Sequence, residues 1–432
     1  MGRVGTIAGA LAGVAVAAVA ATVIASALPA DRPATTGQGG GQVAYGAITQ
    51  LGTAPDVATA AKRLQDRLHR LPKDHTAWAE LGLAYVQQAR ITADPTYYPK
   101  AEQAVDRSLA LVPDDFAGLT ADAALAAGRH EFADAVRLAT QATKANPYGP
   151  LAFGVLADAH TQLGQYKEAT HAIDQMMRLA PGVSSFARAS YDAELHGDRA
   201  TAARMLDYAL RDAYTPADIA FCRFYLGELA LRSGDTPAAA DHYAKAADAD
   251  PAYIPALAGQ ARAAALDGRL AEAAATYETV TERLPLAQYL VEYGEVLERL
   301  GRDARPQWAL LAAQRDLMRA NGVRDDLTWA EFEADHGSPA TAVEYARAEY
   351  ARHPNAVAAD ALGWALHKNG EDREALPYAT KATATGWHNA LIDYHRATIE
   401  RALGHDATHW SKRVKADNPH FTPTLPALQR PS

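Results

Sequence analysis

Between Tyr148 and Pro181 the chain reads YGPLAFGVLADAHTQLGQYKEATHAIDQMMRLAP, and its apolar residues return at i, i+3 and i+4 in two separate runs. Phe153, Leu156, Ala157 and His160 form the first stripe; Ala169, Ile173 and Met176 form the second. The spacing predicts two amphipathic helices. Gly164 ends the first, Tyr166 packs across the turn, and Pro181 stops the second because proline cannot continue a helix. Ala157 and Ala169 stand where the two helices must approach closely. A single pair of this kind cannot bury both of its apolar faces, so further copies at a fixed period are expected.

Those copies are present. Pro113, Pro147 and Pro181 follow one another at intervals of 34 residues, as do Pro251 and Pro285. A small residue stands twelve positions before Pro147, Pro181, Pro251, Pro285 and Pro354, at Ala135, Ala169, Ala239, Ala273 and Ala342. Glycines mark the turn between helices at Gly164, Gly234, Gly268, Gly301, Gly337, Gly370 and Gly404. Trp78, Leu81, Gly82 and Tyr85 form one half of a signature, Ala273, Tyr277 and Pro285 the other, and Leu226-Gly227 and Leu362-Gly363 repeat its central pair. This pattern resembles the tetratricopeptide repeat. The resemblance covers residues 56–419 and implies an all-α fold, a right-handed superhelical solenoid of about ten stacked helix pairs with a concave groove.

The ends of the chain depart from the period. Residues 1–30 are almost wholly apolar and carry only Arg3 before the run. Two readings stay open, a transmembrane anchor and a secretory signal peptide cleaved after Ala25-Ser26-Ala27. Both put the repeats outside the cytoplasm. Residues 31–55, rich in Gly, Thr and Pro, read as a flexible linker, and residues 420–432 as a Pro-rich tail. Asp56 to Leu71 supplies one helix of an incomplete first repeat. RITADPTYYPK, seven residues beyond the period, reads as an excursion between two helices.

Composition narrows the function. The net charge is −9 without a basic block, so a nucleic-acid partner is not expected. Cys222, the single cysteine, lies in AFCRFY and reads as an inert core residue. GQGGG at residues 37–41 lacks the Gly-Lys-Ser/Thr ending of a phosphate loop, and neither HExxH nor GxSxG occurs. No catalytic residue and no cofactor is therefore expected. Two features allow an alternative, a metal-handling protein. His405 and His409 stand four apart near His395 and His420, and Glu331 and Asp335 form a like-charged pair near a helix end. Such a pair calls for a cation or a basic partner.

In the register that the resemblance implies, the residue after Leu-Gly in the first helix of a repeat points into the groove. It selects Leu83, Asp158, Glu228, Arg262 and Trp364, and one turn later Gln87, Gln162 and His367; the slipped copy at Leu290 adds Glu295 and Glu298. This mixture of acid, amide, base and aromatic suits a peptide laid along the groove. The expected function is a non-enzymatic scaffold in the cell envelope that binds a protein or peptide ligand, with membrane contact through the N-terminal segment if uncleaved.

Overall fold

The computed structural model describes residues 54–430. The apolar segment 1–30 and nearly all of the 31–55 linker lie outside the described residues. Among the described residues there are 21 α-helices and no strand, and no helix is long and apolar enough to cross a membrane. Helix α1 (Ala54–Arg70) is unpaired, as the half-repeat predicts, and begins two residues earlier than the sequence reading placed it. Ten antiparallel pairs follow. They are α2 (His75–Thr92) with α3 (Tyr97–Leu111), α4 (Phe116–Gly128) with α5 (Phe132–Ala145), and α6 (Pro150–Gln162) with α7 (Tyr166–Leu179). Next come α8 (Val183–Leu195) with α9 (Arg199–Arg211), α10 (Pro216–Arg232) with α11 (Thr236–Ala249), and α12 (Ile254–Leu266) with α13 (Leu270–Arg283). The series closes with α14 (Ala287–Arg299) and α15 (Arg305–Ala320), α16 (Asp326–His336) and α17 (Pro339–Arg352), α18 (Ala356–Lys368) and α19 (Asp372–Ala382), and α20 (Ala390–Ala402) and α21 (Thr408–Asp417). A short 3-10 turn, Pro426–Gln429, ends the described chain.

The periodic small residues explain the stacking. Ala135, Ala169, Ala239, Ala273 and Ala342 are all 0% exposed, each at the crossing of helices where a larger side chain has no room. The Leu-Gly pair has the same cause: a Cβ on Gly227 would lie 2.6 Å from the Tyr243 ring, and one on Gly82 2.7 Å from Val105. Oxygen side chains start many of the helices. Asp115, Thr215, Asp325, Ser338 and Asn355 each accept an otherwise unpaired backbone N–H of the first turn.

One local expectation needs correction, and two inter-helix turns differ from the rest in backbone conformation. The extra residues around Tyr97 do not loop out. They lengthen α2 and α3, and Tyr98 is buried while Tyr97 stacks on Tyr85 at 6.0 Å. Gly337 does not take the left-handed turn conformation (φ −126°), because Ser338-Pro339 starts α17 at once. In the repeat around Gly128 the left-handed position falls to His130 (φ 64°) instead of a glycine.

The solenoid winds back onto itself. Ala93, at the tip of the first pair, packs with Ile254, Ala258, Leu286 and Tyr289. The His353 ring bonds the His130 carbonyl at 3.0 Å and meets Phe132 edge-on. One layer on, the Ala356 N–H donates to the Tyr166 hydroxyl at 2.8 Å. Arg199 donates to the His388 carbonyl at 2.9 Å. Turns of the first four pairs thus rest on helix starts of the later pairs.

Candidate functional site

From α6 to α20 each even-numbered helix is tied to the next by a polar contact that is buried or half-buried. Asp158 on α6 receives two bonds from Arg188 on α8, at 3.0 and 2.9 Å. Glu194 on α8 receives two from Arg232 on α10, at 2.6 and 2.8 Å. Arg262 on α12, 2% exposed, reaches Glu228 on α10 at 2.5 Å and Glu292 on α14 at 2.8 Å. Tyr243 and Tyr277 donate their hydroxyls to the same two glutamates, at 2.6 and 2.8 Å. Glu295 on α14 bonds His336 on α16 at 3.0 Å, and the Trp364 indole N–H on α18 donates to Asp335 on α16 at 2.9 Å. Asp360 on α18 and His395 on α20 complete the series at 2.9 Å.

Electrostatics follow from this pairing. Burial works against the charge of Arg262, but the Glu228 and Glu292 carboxylates more than offset it, so its pKa stands well above the ordinary value. Burial raises Glu292 and Glu295 in spite of their partners. Burial also opposes the charge of Asp335, yet Arg430 and the Trp364 indole hold its carboxyl below the usual range.

The groove residues read from the sequence fall into distinct places. Leu83 is fully buried in the core of the first repeats. Gln87 is buried and accepts from Arg90 at 2.8 Å. Asp158, Glu228, Arg262 and Glu295 are members of the buried ladder, so their side chains are engaged by neighbouring repeats. The half-buried Gln162 gives its carbonyl to Asn355. Glu298 is exposed, 3.6 Å from His336. Trp364 stacks on His395 at 4.0 Å and on His367 at 5.1 Å, and His367 is held by Asp372 at 2.5 Å. Arg188, Glu194, Arg232 and Glu292 were missed. Their signal was present as opposite charges on first helices about one repeat apart.

Between α6, α8 and α10 lies a small hollow. Tyr191, Phe221 and Tyr225 give it aromatic walls, while Asp158, Arg188, Asp192 and Arg232 present charge. The histidines of the metal alternative are not brought together. His405 sits in the turn before α21, so it shares no helical face with His409, and His395 is buried against Trp364. Among the described residues no group of three or more His, Cys, Asp or Glu is arranged to hold a metal ion. The like-charged Glu331 and Asp335 do have a basic partner, the chain's own Arg430, at 3.3 and 2.8 Å.

Antiparallel helix pairs stacked in series define an α-solenoid. A sequence profile described as tetratricopeptide repeat matches residues 119–183 and 189–254. Over these residues the chain carries tetratricopeptide repeats. None of the curated proteins matches the sequence. Among solved structures, a thermophilic tetratricopeptide-repeat protein of Thermus thermophilus is 22% identical over 39% of this chain and 91% of its own, with a TM-score of 0.36. PilW, a type IV pilus biogenesis factor, is 20% identical over 47% of this chain and 96% of its own, with a TM-score of 0.39. A human IFIT1 dimer with m7Gppp-AAAA is 16% identical over 76% and 77%, with a TM-score of 0.46. At these identities the similarity is one of fold.

Proposed function

We propose that this protein is a non-enzymatic scaffold that receives a polypeptide partner in its concave groove, and that residues 1–30 place it in the cell envelope, outside the cytoplasm. Repeats of this kind serve as protein-interaction scaffolds. The observation that carries the reading is the hollow between α6, α8 and α10. It combines aromatic walls with charged groups of both signs, the composition that peptide side chains and backbone need for specific contact. The apolar run that opens the sequence supports the location.

The test places a photo-activated cross-linking residue at Tyr225, in the hollow, and at Leu310, exposed on the outer surface. A discrete polypeptide adduct through position 225 and none through 310 is expected in envelope membranes. Equal labelling at both positions, or none at 225, would count against the reading.

A further inference from the structure

The last described residues, Leu425 to Arg430, pack against α12, α14 and α16. After α21 the backbone crosses back, and Leu425 and Leu428 are buried with Ala261, Ala264, Tyr293, Val296 and Leu297. The Ala427 N–H donates to both carboxylate oxygens of Glu295, at 3.2 and 3.0 Å. Arg430 pairs with Glu331 and Asp335, and its guanidinium also donates to the Glu331 carbonyl at 3.2 Å. These anchors span Leu425 to Arg430. Upstream, Thr422 and Thr424 bond each other, and Pro423 and Thr424 are exposed.

The seat and the segment are separable in chemistry. Glu295, Glu331 and Asp335 are acids gathered on α14 and α16. Glu331 and Asp335 are a like-charged pair on one helix face that costs stability when uncompensated. The compensating charge comes from outside the repeats, on a segment joined to them by the exposed Pro423-Thr424, after Phe421 has packed on Tyr394. That is the arrangement of a ligand tethered in cis. A tether gives its ligand an effective concentration of about millimolar, so a bond of modest intrinsic strength keeps the seat filled.

We propose, resting on the scaffold reading above, that this acidic patch is a peptide seat occupied by the chain's own C-terminal segment as a stand-in. The partner segment it takes carries two aliphatic residues three positions apart and an arginine two positions later, the pattern of Leu425, Leu428 and Arg430. Binding of the partner displaces the tail, so the tail sets an affinity threshold for entry into this seat.

The test uses a fluorescent synthetic peptide, FTPTLPALQRPS, against the intact chain and against a chain ending at His420. The truncated chain is expected to bind the peptide saturably. The intact chain should bind at least about tenfold more weakly, because the tether competes. A peptide with glutamate in place of arginine should not bind the truncated chain, nor should the native peptide bind it when Glu331→Gln and Asp335→Asn are present. Equal binding to both chains, or none to a folded truncated chain, overturns the proposal. Should truncation prevent folding, hydrogen exchange over residues 421–430 decides in the full chain. Exchange faster than in the core helices, and about tenfold faster again with Arg430→Glu, is expected. Exchange as slow as the core, unchanged by Arg430→Glu, makes the tail a fixed part of the fold and ends the proposal. The peptide is the chain's own, so the outcome does not depend on whether Tyr225 captures a partner.

Discussion

Asn355 donates its side-chain amide to the Gln162 carbonyl at 2.8 Å, although 193 residues lie between them. The same side chain also caps α18 by accepting the Ala358 N–H at 2.9 Å. One residue therefore starts a helix in the later turn of the superhelix and fastens it to the end of a helix in the earlier turn. This fastening holds one turn of the superhelix against the next. It predicts that glycines at equivalent turns differ in what they tolerate.

Gly164 (φ +68°) and Gly268 (φ +82°) occupy the same turn in different repeats. Alanine at either should lose about 1–2 kcal/mol from the left-handed backbone alone. At Gly164 the new Cβ would also lie 2.6 Å from the Pro354 carbonyl oxygen, whereas at Gly268 nothing lies within 4 Å. Urea unfolding should therefore show Gly164→Ala more damaging than Gly268→Ala by at least about 1 kcal/mol. Equal losses would mean that the two turns of the superhelix do not touch in solution.

Arg262 stands between Glu228 and Glu292 with no water-exposed face. Arg262→Met takes its cation from the buried Glu292 and the nearer of two from Glu228, which keeps Arg232 at 3.5 Å, and should cost about 3–5 kcal/mol. Adding Glu228→Gln and Glu292→Gln removes the uncompensated charge, so the triple variant should recover part of that loss. The non-additivity is the readout, measured as a mutant cycle in chemical denaturation. Simple addition of the three effects would show that the ladder is not a coupled unit.

Glu80 gives the pH dependence a defined sign. It is 1% exposed, one of its carboxylate oxygens has no partner among the described residues, and burial raises its pKa from 4.5 to about 7. Arg67 pulls the other way without reversing the shift. Between these two values the folded chain holds a proton that the unfolded chain has released. The favourable contribution is whole below 4.5 and is lost as pH rises to about 7. Glu80→Gln should thus stabilise the protein at about pH 8, with an advantage that shrinks toward pH 4.5. A variant no more stable than the parent at the higher pH would refute the assignment.

The repeat was legible because it is a local matter of spacing. Ala135, Ala169 and Tyr277 occupy places dictated by the pair they belong to, and a period of 34 residues exposes them. Winding back is different. The contact of Tyr166 with Ala356, or of Arg199 with His388, depends on the small rotation between successive pairs, summed over several of them. No motif carries that angle. For the same reason the register that found Asp158, Glu228 and Arg262 on the inner helices did not find that each would meet an opposite charge from the next repeat. The pair Glu331 and Asp335 did announce a missing base. The base lay in the tail, where irregular sequence gave no hint of its path.

Cys222 can report whether this closure makes the repeats open together. It is 0% exposed, packed among Val183, Ala187, Ala209 and Phe221, and burial pushes its thiol up to about 12. Both properties suppress attack on a thiol reagent, so labelling requires α10 to part from its neighbours. In an open solenoid, stability is nearly a sum over adjacent repeats, and a middle repeat can open alone. Here Arg199, in the neighbouring repeat, holds the His388 carbonyl at 2.9 Å and lies 3.7 Å from Asp417. Labelling of Cys222 should therefore rise with urea as steeply as global unfolding does. Arg199→Ala should reduce that steepness, because one repeat gains freedom to open without the rest. Labelling of the parent protein with a shallow urea dependence would show that the far turns do not restrain the near ones.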